Sequence, residues 1–210
     1  MLPILYSYRR CPYAMRARMA LKLAGIEVEI REISLREKPA HMLQVSPKAT
    51  VPVLVLQDDL GNSQVIAESL EIMLFAFKNH ALGANMHEAC RALISENDSN
   101  FKQALDCYKY PERFQNKTQT QHRTDGEVFL QKLEGLLNQQ PYLLSDEPSM
   151  ADMAIFPFIR QFAAVDSVWF AGESNNNEGA PYPKLKAWLD CWLNSELFKS
   201  IMTNNPTHKS

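Results

Sequence analysis

The sequence places one cysteine where a strand-to-helix turn is expected. Residues 3–8 form a short apolar run and residues 15–24 have the composition of a helix, so Cys11 falls between a strand and a helix. At a helix N-terminus the backbone N–H groups and the helix dipole stabilise an anion, and Pro12 suits the first helical position. The arginines around this cysteine are Arg9, Arg10, Arg16 and Arg18. The pattern predicts a thiolate nucleophile, and the alternative is an ordinary half-buried cysteine.

Composition and charge exclude several classes of function. The chain has 210 residues, of which 46% are hydrophobic and 22% charged, which suits one large globular domain or two small ones. A formal net charge of -2 gives no electrostatic footprint for nucleic acid or for an anionic membrane. The N-terminus lacks the basic region of a secretory signal, and no apolar run reaches the length of a membrane span. We therefore expect a cytoplasmic protein that binds neither nucleic acid nor membranes.

The remaining cysteines and the histidines suggest no second site. Cysteines occur at positions 11, 90, 107 and 191, without the spacing of a metal site or of a disulfide framework. The five histidines include no i, i+4 pair, so we expect no metal. Cys90, Cys107 and Cys191 fall in segments of helical pattern, and we expect them to be small core or half-exposed residues.

Strands and helices alternate through the first third of the chain. The predicted elements are strand 3–8, helix 15–24, strand 27–33, helix 35–45, strand 51–56, strand 63–66 and helix 68–77, with a hairpin loop at 57–62. The first three elements make a βαβ unit with parallel strands and a right-handed crossover. The last three make an antiparallel ββα unit. We therefore expect an α/β domain of βαβ-ββα order over residues 1–78.

Everything after residue 85 has a helical pattern. Residues 78–85 are polar and break the periodicity, so we expect an inter-domain linker there. The predicted helices are 86–108, 117–140, 150–164 and one that Pro183 opens. Ser149 and Asp152 have the spacing of a capping box at the start of the third of these helices. Pro157, inside that helix, predicts a kink. We expect an all-helical domain over residues 86–210.

This plan resembles that of the cytosolic glutathione transferases, which have a thioredoxin-like N-terminal domain followed by an all-helical domain. The segment Cys11-Pro12-Tyr13-Ala14, followed by Arg16-Ala17-Arg18, is similar to the Cys-Pro-Phe/Tyr-Ala motif of their cysteine-type, omega-like members. The resemblance covers nearly the whole chain and is densest between Tyr6 and Ser69. It implies glutathione as co-substrate, and it also implies a homodimer.

The resemblance assigns roles to individual residues. Cys11 would be the nucleophile with Tyr13 beside it, Leu35 and Lys38 would line the site of the glycine end, Val51-Pro52 would be a cis-proline turn beside the cysteinyl part, and Glu68-Ser69 would hold the γ-glutamyl end. The residue types suit these roles, because the carboxylate of Glu68 can pair with an ammonium, and Ser69 with the following helix N-terminus can bind a carboxylate. Tyr108, Tyr110 and Trp169 are candidates to line an acceptor pocket, although aromatic residues at helical spacing are more often core.

These assignments favour an enzyme that transfers thiols. Cys11 would attack a glutathionylated thiol or an oxidised acceptor such as dehydroascorbate and form a mixed disulfide with glutathione. Ala14 stands where dithiol glutaredoxins have their second cysteine, so a second glutathione must resolve that disulfide. One alternative is a transferase that conjugates electrophiles with help from the hydroxyl of Tyr6. Another is a non-catalytic protein of the same fold.

Overall fold

The computed structural model describes residues 2–57, 62–84, 86–173 and 180–208 and contains two compact units. The first consists of Met1–Ala84 with Ser195–Ser210, and the second of Asn85–Asn194. The C-terminal segment thus joins the first unit, whereas the sequence pattern assigned it to the helical domain. The reason is a set of long-range contacts, in which Phe198 and Ile201 are buried and the His208 amide donates to the Glu32 carbonyl at 2.7 Å.

The first unit is built on a four-stranded sheet. Its elements are β1 (Ile4–Ser7), α1 (Pro12–Leu23), β2 (Glu29–Glu32), α2 (Ala40–Val45), β3 (Val53–Gln57), β4 (Ser63–Ile66), α3 (Ser69–Ala76) and α4 (Ala81–Ala84). The strand order is β2-β1-β3-β4, with β1 parallel to β2 and antiparallel to β3, and β3 antiparallel to β4. The predicted βαβ-ββα order is confirmed. The expected linker contains α4, and most of the expected hairpin loop lies outside the described residues.

The two faces of the sheet carry different residues. Side chains of a strand alternate between faces, and in β1 Ile4 and Tyr6 belong to a hydrophobic cluster that includes Met42 of α2. The side chain of Ser7 therefore lies on the other face, where its hydroxyl accepts a hydrogen bond from Arg18 of α1. Tyr6 and α1 thus lie on opposite faces of the sheet.

The second unit is helical. It contains α5 (Glu88–Glu96), a π-helical turn (Asn97–Phe101), α6 (Lys102–Lys109), a 3₁₀ turn (Pro111–Arg113), α7 (Gln119–Leu137), α8 (Met150–Ala163), α9 (Ser167–Ala171) and α10 (Pro183–Asn194), and α11 (Glu196–Ile201) follows in the first unit. The predicted helix 86–108 is thus interrupted by the π turn, whose Asn97 and Phe101 are buried. Among the described helices, none is long and apolar enough to span a bilayer.

Helix α8 forms the centre of this unit and contacts α5, α6 and α10. Its predicted capping box is confirmed, because the Ser149 and Asp152 side chains each bond the backbone N–H of the other residue. The buried carboxylate of Asp152 also accepts from the Leu143 amide at 2.9 Å and from Trp188 Nε1 at 2.8 Å. Asp152 therefore fixes the start of α8 to α10 and to the preceding loop.

Candidate active site around Cys11

Cys11 is the N-cap residue of α1, as the sequence predicts. Its amide donates to the Tyr8 carbonyl at 3.0 Å, and its own carbonyl accepts from the Met15 amide at 3.0 Å. The side chain is only partly buried. Its sulfur therefore lies at the positive end of a helix dipole within reach of solvent, which is the environment of a reactive thiol.

The turn before β3 approaches this thiol. The Val51–Pro52 peptide bond is cis, in agreement with the expectation from the resemblance. The Val51 carbonyl oxygen lies 3.8 Å from Cys11 Sγ. Two segments that are forty residues apart in sequence thus meet at one sulfur atom, and the backbone at Val51 is suitably placed to bond a peptide-like ligand.

Arg18 is a buried cation that interacts electrostatically with Cys11. It is 3% exposed, and its guanidinium donates to Ser7 Oγ at 2.5 Å and to the Arg9 carbonyl at 2.7 Å. Burial lowers the pKa of Arg18 to about 10, although the charges of Glu32 and of a Cys11 thiolate act to raise it. Arg18 remains a cation at neutral pH. Its charge therefore stabilises the thiolate form of Cys11.

Charged side chains of both signs surround the start of α3, where they could bind the ammonium and carboxylate of an amino-acid group. Glu68 is the N-cap residue and Ser69 the first helical residue. The hydroxyl of Ser69 accepts from Arg16 Nη1 at 3.5 Å, and the fully buried guanidinium of Arg16 also lies over the Tyr13 ring at 5.4 Å. Lys48 forms an ion pair with Glu68. Lys48 is not among the residues predicted from the sequence, where its one signal is its place in the turn that precedes Val51.

Two predicted ligand residues lie in the segment between β2 and α2. Leu35 is 52% exposed, and Lys38 is half-buried. Pro39 restricts the backbone before it, and α2 begins only at Ala40 rather than at the predicted residue 35. The roles of Leu35 and Lys38 at the glycine end of glutathione stay predictions.

The hydroxyl of Tyr6 is engaged elsewhere. It bonds to His41 Nδ1 at 2.6 Å and accepts from Arg31 Nη1 at 3.1 Å, and the side chain is fully buried. These partners lie on the α2 face of the sheet, opposite to the face of α1. The geometry therefore favours a structural role for Tyr6 over direct help to a glutathione thiol.

Comparison with known proteins decides the family. Residues 5–84 match the model of the glutathione S-transferase N-terminal domain, and residues 121–191 match that of the glutathione S-transferase C-terminal domain. The chain belongs to the glutathione S-transferase family.

Relatives and solved structures agree with this assignment. The chain is 28% identical over 200 residues to glutathione S-transferase U19 of Arabidopsis thaliana, covering 94% of this chain and 89% of that relative. It is 26% identical over 189 residues to glutathione S-transferase omega-1 of Mus musculus, with 88% and 73% covered. A Pseudomonas fluorescens glutathione transferase family member, solved with two glutathione bound, superposes with a TM-score of 0.79 at 16% identity, covering 96% of this chain and 92% of that one.

The aromatic residues proposed for the acceptor pocket of this transferase belong to the second unit. Tyr108 is 3% exposed and Trp169 is 6% exposed, and the ring of Phe162 contacts both. Tyr110 is half-buried and has Arg113 over its ring at 4.5 Å. Tyr108 and Trp169 thus lie in the core of the helical unit, and a lining role for these residues stays a prediction.

The other cysteines of the transferase differ in exposure. Cys90 is buried and Cys107 half-buried, in agreement with the expectation. Burial raises the pKa of both thiols, that of Cys90 to about 11. Cys191 is exposed, contrary to the expectation, because the buried face of α10 is formed by Leu185, Trp188, Leu189 and Trp192.

Proposed function

We propose that this glutathione transferase acts mainly as a glutathione-dependent thiol transferase with Cys11 as its nucleophile. The observation that carries the proposal is the position of Cys11 Sγ, at the N-cap of α1 and 3.8 Å from the Val51 carbonyl. The buried Arg18 beside it adds a fixed positive charge. A helix N-terminus and a neighbouring cation both favour the thiolate, which is the form that attacks disulfides.

The reaction takes two thiol-disulfide exchanges. The Cys11 thiolate attacks the glutathione sulfur of a glutathionylated acceptor, the disulfide of that acceptor breaks, and the acceptor leaves as a thiolate that takes a proton from water. A second glutathione then attacks as its thiolate on the glutathione sulfur of the mixed disulfide. Glutathione disulfide leaves, and the Cys11 thiolate returns. Ala14 in the first turn of α1 offers no thiol for internal resolution, which is why a second glutathione is required.

The proposed site holds glutathione by both ends. The Val51 backbone would bond the cysteinyl part, and the Glu68 carboxylate would pair with the γ-glutamyl ammonium. Ser69 and the N-terminus of α3 would bind the neighbouring carboxylate. Lys38 and Leu35 would contact the glycine end. We also infer a homodimer from the family resemblance, and a cytoplasmic location from the scattered cysteines.

Intact mass spectrometry tests the proposal. The variants Cys191→Ser and Cys11→Ser/Cys191→Ser are incubated with glutathione disulfide, since the first substitution removes the exposed thiol. We expect one glutathione adduct on Cys191→Ser, its removal by excess reduced glutathione, and its loss in the double variant. The proposal would be wrong if Cys191→Ser formed no adduct, or if the double variant, which lacks Cys11, still formed one.

A further inference from the structure

We propose that Lys48 is a specificity-determining residue that recognises the α-carboxylate of the γ-glutamyl end of glutathione. In the structure Lys48 and Glu68 form an ion pair. An amino-acid end carries an ammonium beside a carboxylate, so it can bind this pair with opposite charges in contact. The ammonium pairs with Glu68, and the carboxylate pairs with Lys48. The inference rests on the proposed function, because it takes glutathione as the ligand.

Lys48 lies in a tight turn that leads into the candidate site. The Ala49 amide donates to the Ser46 carbonyl at 2.9 Å, and Ser46 is 4% exposed. Ala49 has φ +54°, a left-handed conformation that is unfavourable for a residue with a Cβ. This turn leads directly to Val51, whose carbonyl lies beside Cys11 Sγ. Lys48 is therefore fixed to the same backbone segment that would bond the cysteinyl part of the ligand.

The residues next to Glu68 also favour binding of a carboxylate. Ser69 is 5% exposed and follows Glu68 at the first position of α3. The guanidinium of Arg16, which is fully buried, donates to its hydroxyl. A carboxylate at Ser69 would thus have Arg16 behind it and the α3 N-terminus beside it. Lys48, which pairs with the neighbouring Glu68 and is itself exposed, would supply a further cation to that carboxylate.

The existing ion pair opens at little cost. The side chains of Lys48 and Glu68 are 57% and 55% exposed. An exposed ion pair is weak, because water screens both charges. A ligand with both charges replaces one such contact by two. A ligand that lacks its carboxylate must instead compete with Lys48 for Glu68, so the pair discriminates against it.

Calorimetric binding to the Cys11→Ser protein tests the inference, because that variant cannot form the mixed disulfide. The ligands are glutathione and 4-aminobutanoyl-Cys-Gly, which lacks the α-carboxylate. We expect Lys48→Gln to weaken glutathione binding about fivefold, as for the loss of one exposed charge-assisted contact. The same substitution leaves binding of the analogue unchanged or tightens it. Lys48→Arg restores glutathione binding, and Lys22→Gln, at an exposed lysine of α1, has no effect.

The outcomes separate the two proposals. Glutathione that binds Lys48→Gln as tightly as the parent, or more tightly, overturns the role of Lys48 and leaves the proposed function intact. Equal losses for glutathione and for the analogue also overturn it, because the effect would not depend on the carboxylate. Glutathione that fails to bind the Cys11→Ser parent overturns the proposed function, and the role of Lys48 with it.

Discussion

Two cysteines in the first turns of two helices have opposite environments. Cys11 is the N-cap residue of α1, and Cys90 is the third residue of α5, after the N-cap His87. Cys11 is partly exposed, whereas Cys90 is 1% exposed and contacts Met86 Sδ at 3.5 Å. Burial raises the pKa of Cys90 to about 11. A helix N-terminus is therefore not sufficient to activate a thiol.

The charges around the two thiols differ as well. Arg18 is fixed by hydrogen bonds beside Cys11. Around Cys90, the charge of Asp152 acts to raise the pKa of the thiol, and the smaller effect of Arg91 acts to lower it. Solvent access and a neighbouring cation thus distinguish the partly exposed thiol of Cys11 from the buried thiol of Cys90, although both lie at the start of a helix.

The largest expected effect is the difference in alkylation rate between these two thiols. At pH 7 a thiol with a pKa near 11 is a thiolate only about one part in ten thousand, and burial slows it further. We expect iodoacetamide to modify Cys11 at least about 1000-fold faster than Cys90. Peptide mass mapping over time measures both rates, and Cys11→Ser should remove the fast one. Comparable alkylation rates of Cys11 and Cys90 in the folded protein would contradict the difference inferred for their environments.

Loss of the Asp152 carboxylate should make the buried thiol of Cys90 accessible to alkylation. Its carboxylate accepts from the Leu143 and Ser149 amides at 2.9 Å and from Trp188 Nε1 at 2.8 Å. Asp152→Ala leaves these buried donors without an acceptor, which destabilises the fold by about 3 kcal/mol. The midpoint of urea unfolding should fall, and alkylation of Cys90 should become about 100-fold faster.

The matched control for this variant is Asp146→Ala, which removes an exposed carboxylate from the loop before α8. It should change neither the unfolding midpoint nor the labelling of Cys90. If Asp152→Ala unfolds at the urea concentration of the wild type, the carboxylate does not hold the start of α8.

Removal of the Arg18 charge should have the smallest effect. It should slow the alkylation of Cys11 and so bring its rate closer to that of Cys90. Arg18→Met keeps an apolar stem but removes the charge and the hydrogen bonds to Ser7 and Arg9. We expect alkylation of Cys11 at pH 6 to slow about tenfold, with the rates converging above pH 9, because the charge acts only on the thiol-thiolate equilibrium. Arg10→Met, at an exposed arginine over the Tyr8 ring, is the control. An equal loss at every pH would show a packing role alone.

Local signals in the sequence were enough for most of the fold. Pro12 and Ser149 mark helix starts that the structure has at those places. The π turn at Asn97–Phe101 could not be predicted, because an insertion of one residue in a helix leaves the apolar periodicity almost unchanged. The docking of α11 on the first unit depends on contacts between distant parts of the chain, and no local pattern encodes them.

Residues of the candidate site could be predicted from the sequence only where they form a distinctive local pattern. Cys11, with its proline and arginines, forms a recognisable local pattern, and so does Val51-Pro52. An exposed lysine such as Lys48 does not, because solvated lysines are common. Its partner, Glu68, lies twenty residues further along the chain, so only the fold brings the two charges together.

The C-terminal segment also pairs with one end of the edge strand β2. β2 is an edge strand, and edge strands offer unpaired backbone groups to neighbouring molecules. Thr207 pairs with Glu32 of β2, and the His208 amide donates to the same residue. The Glu32 carboxylate in turn accepts from the Arg9 amide at 2.6 Å. Removing the last residues would therefore do two things at once, since it would open an edge to aggregation and loosen the loop that leads to Cys11.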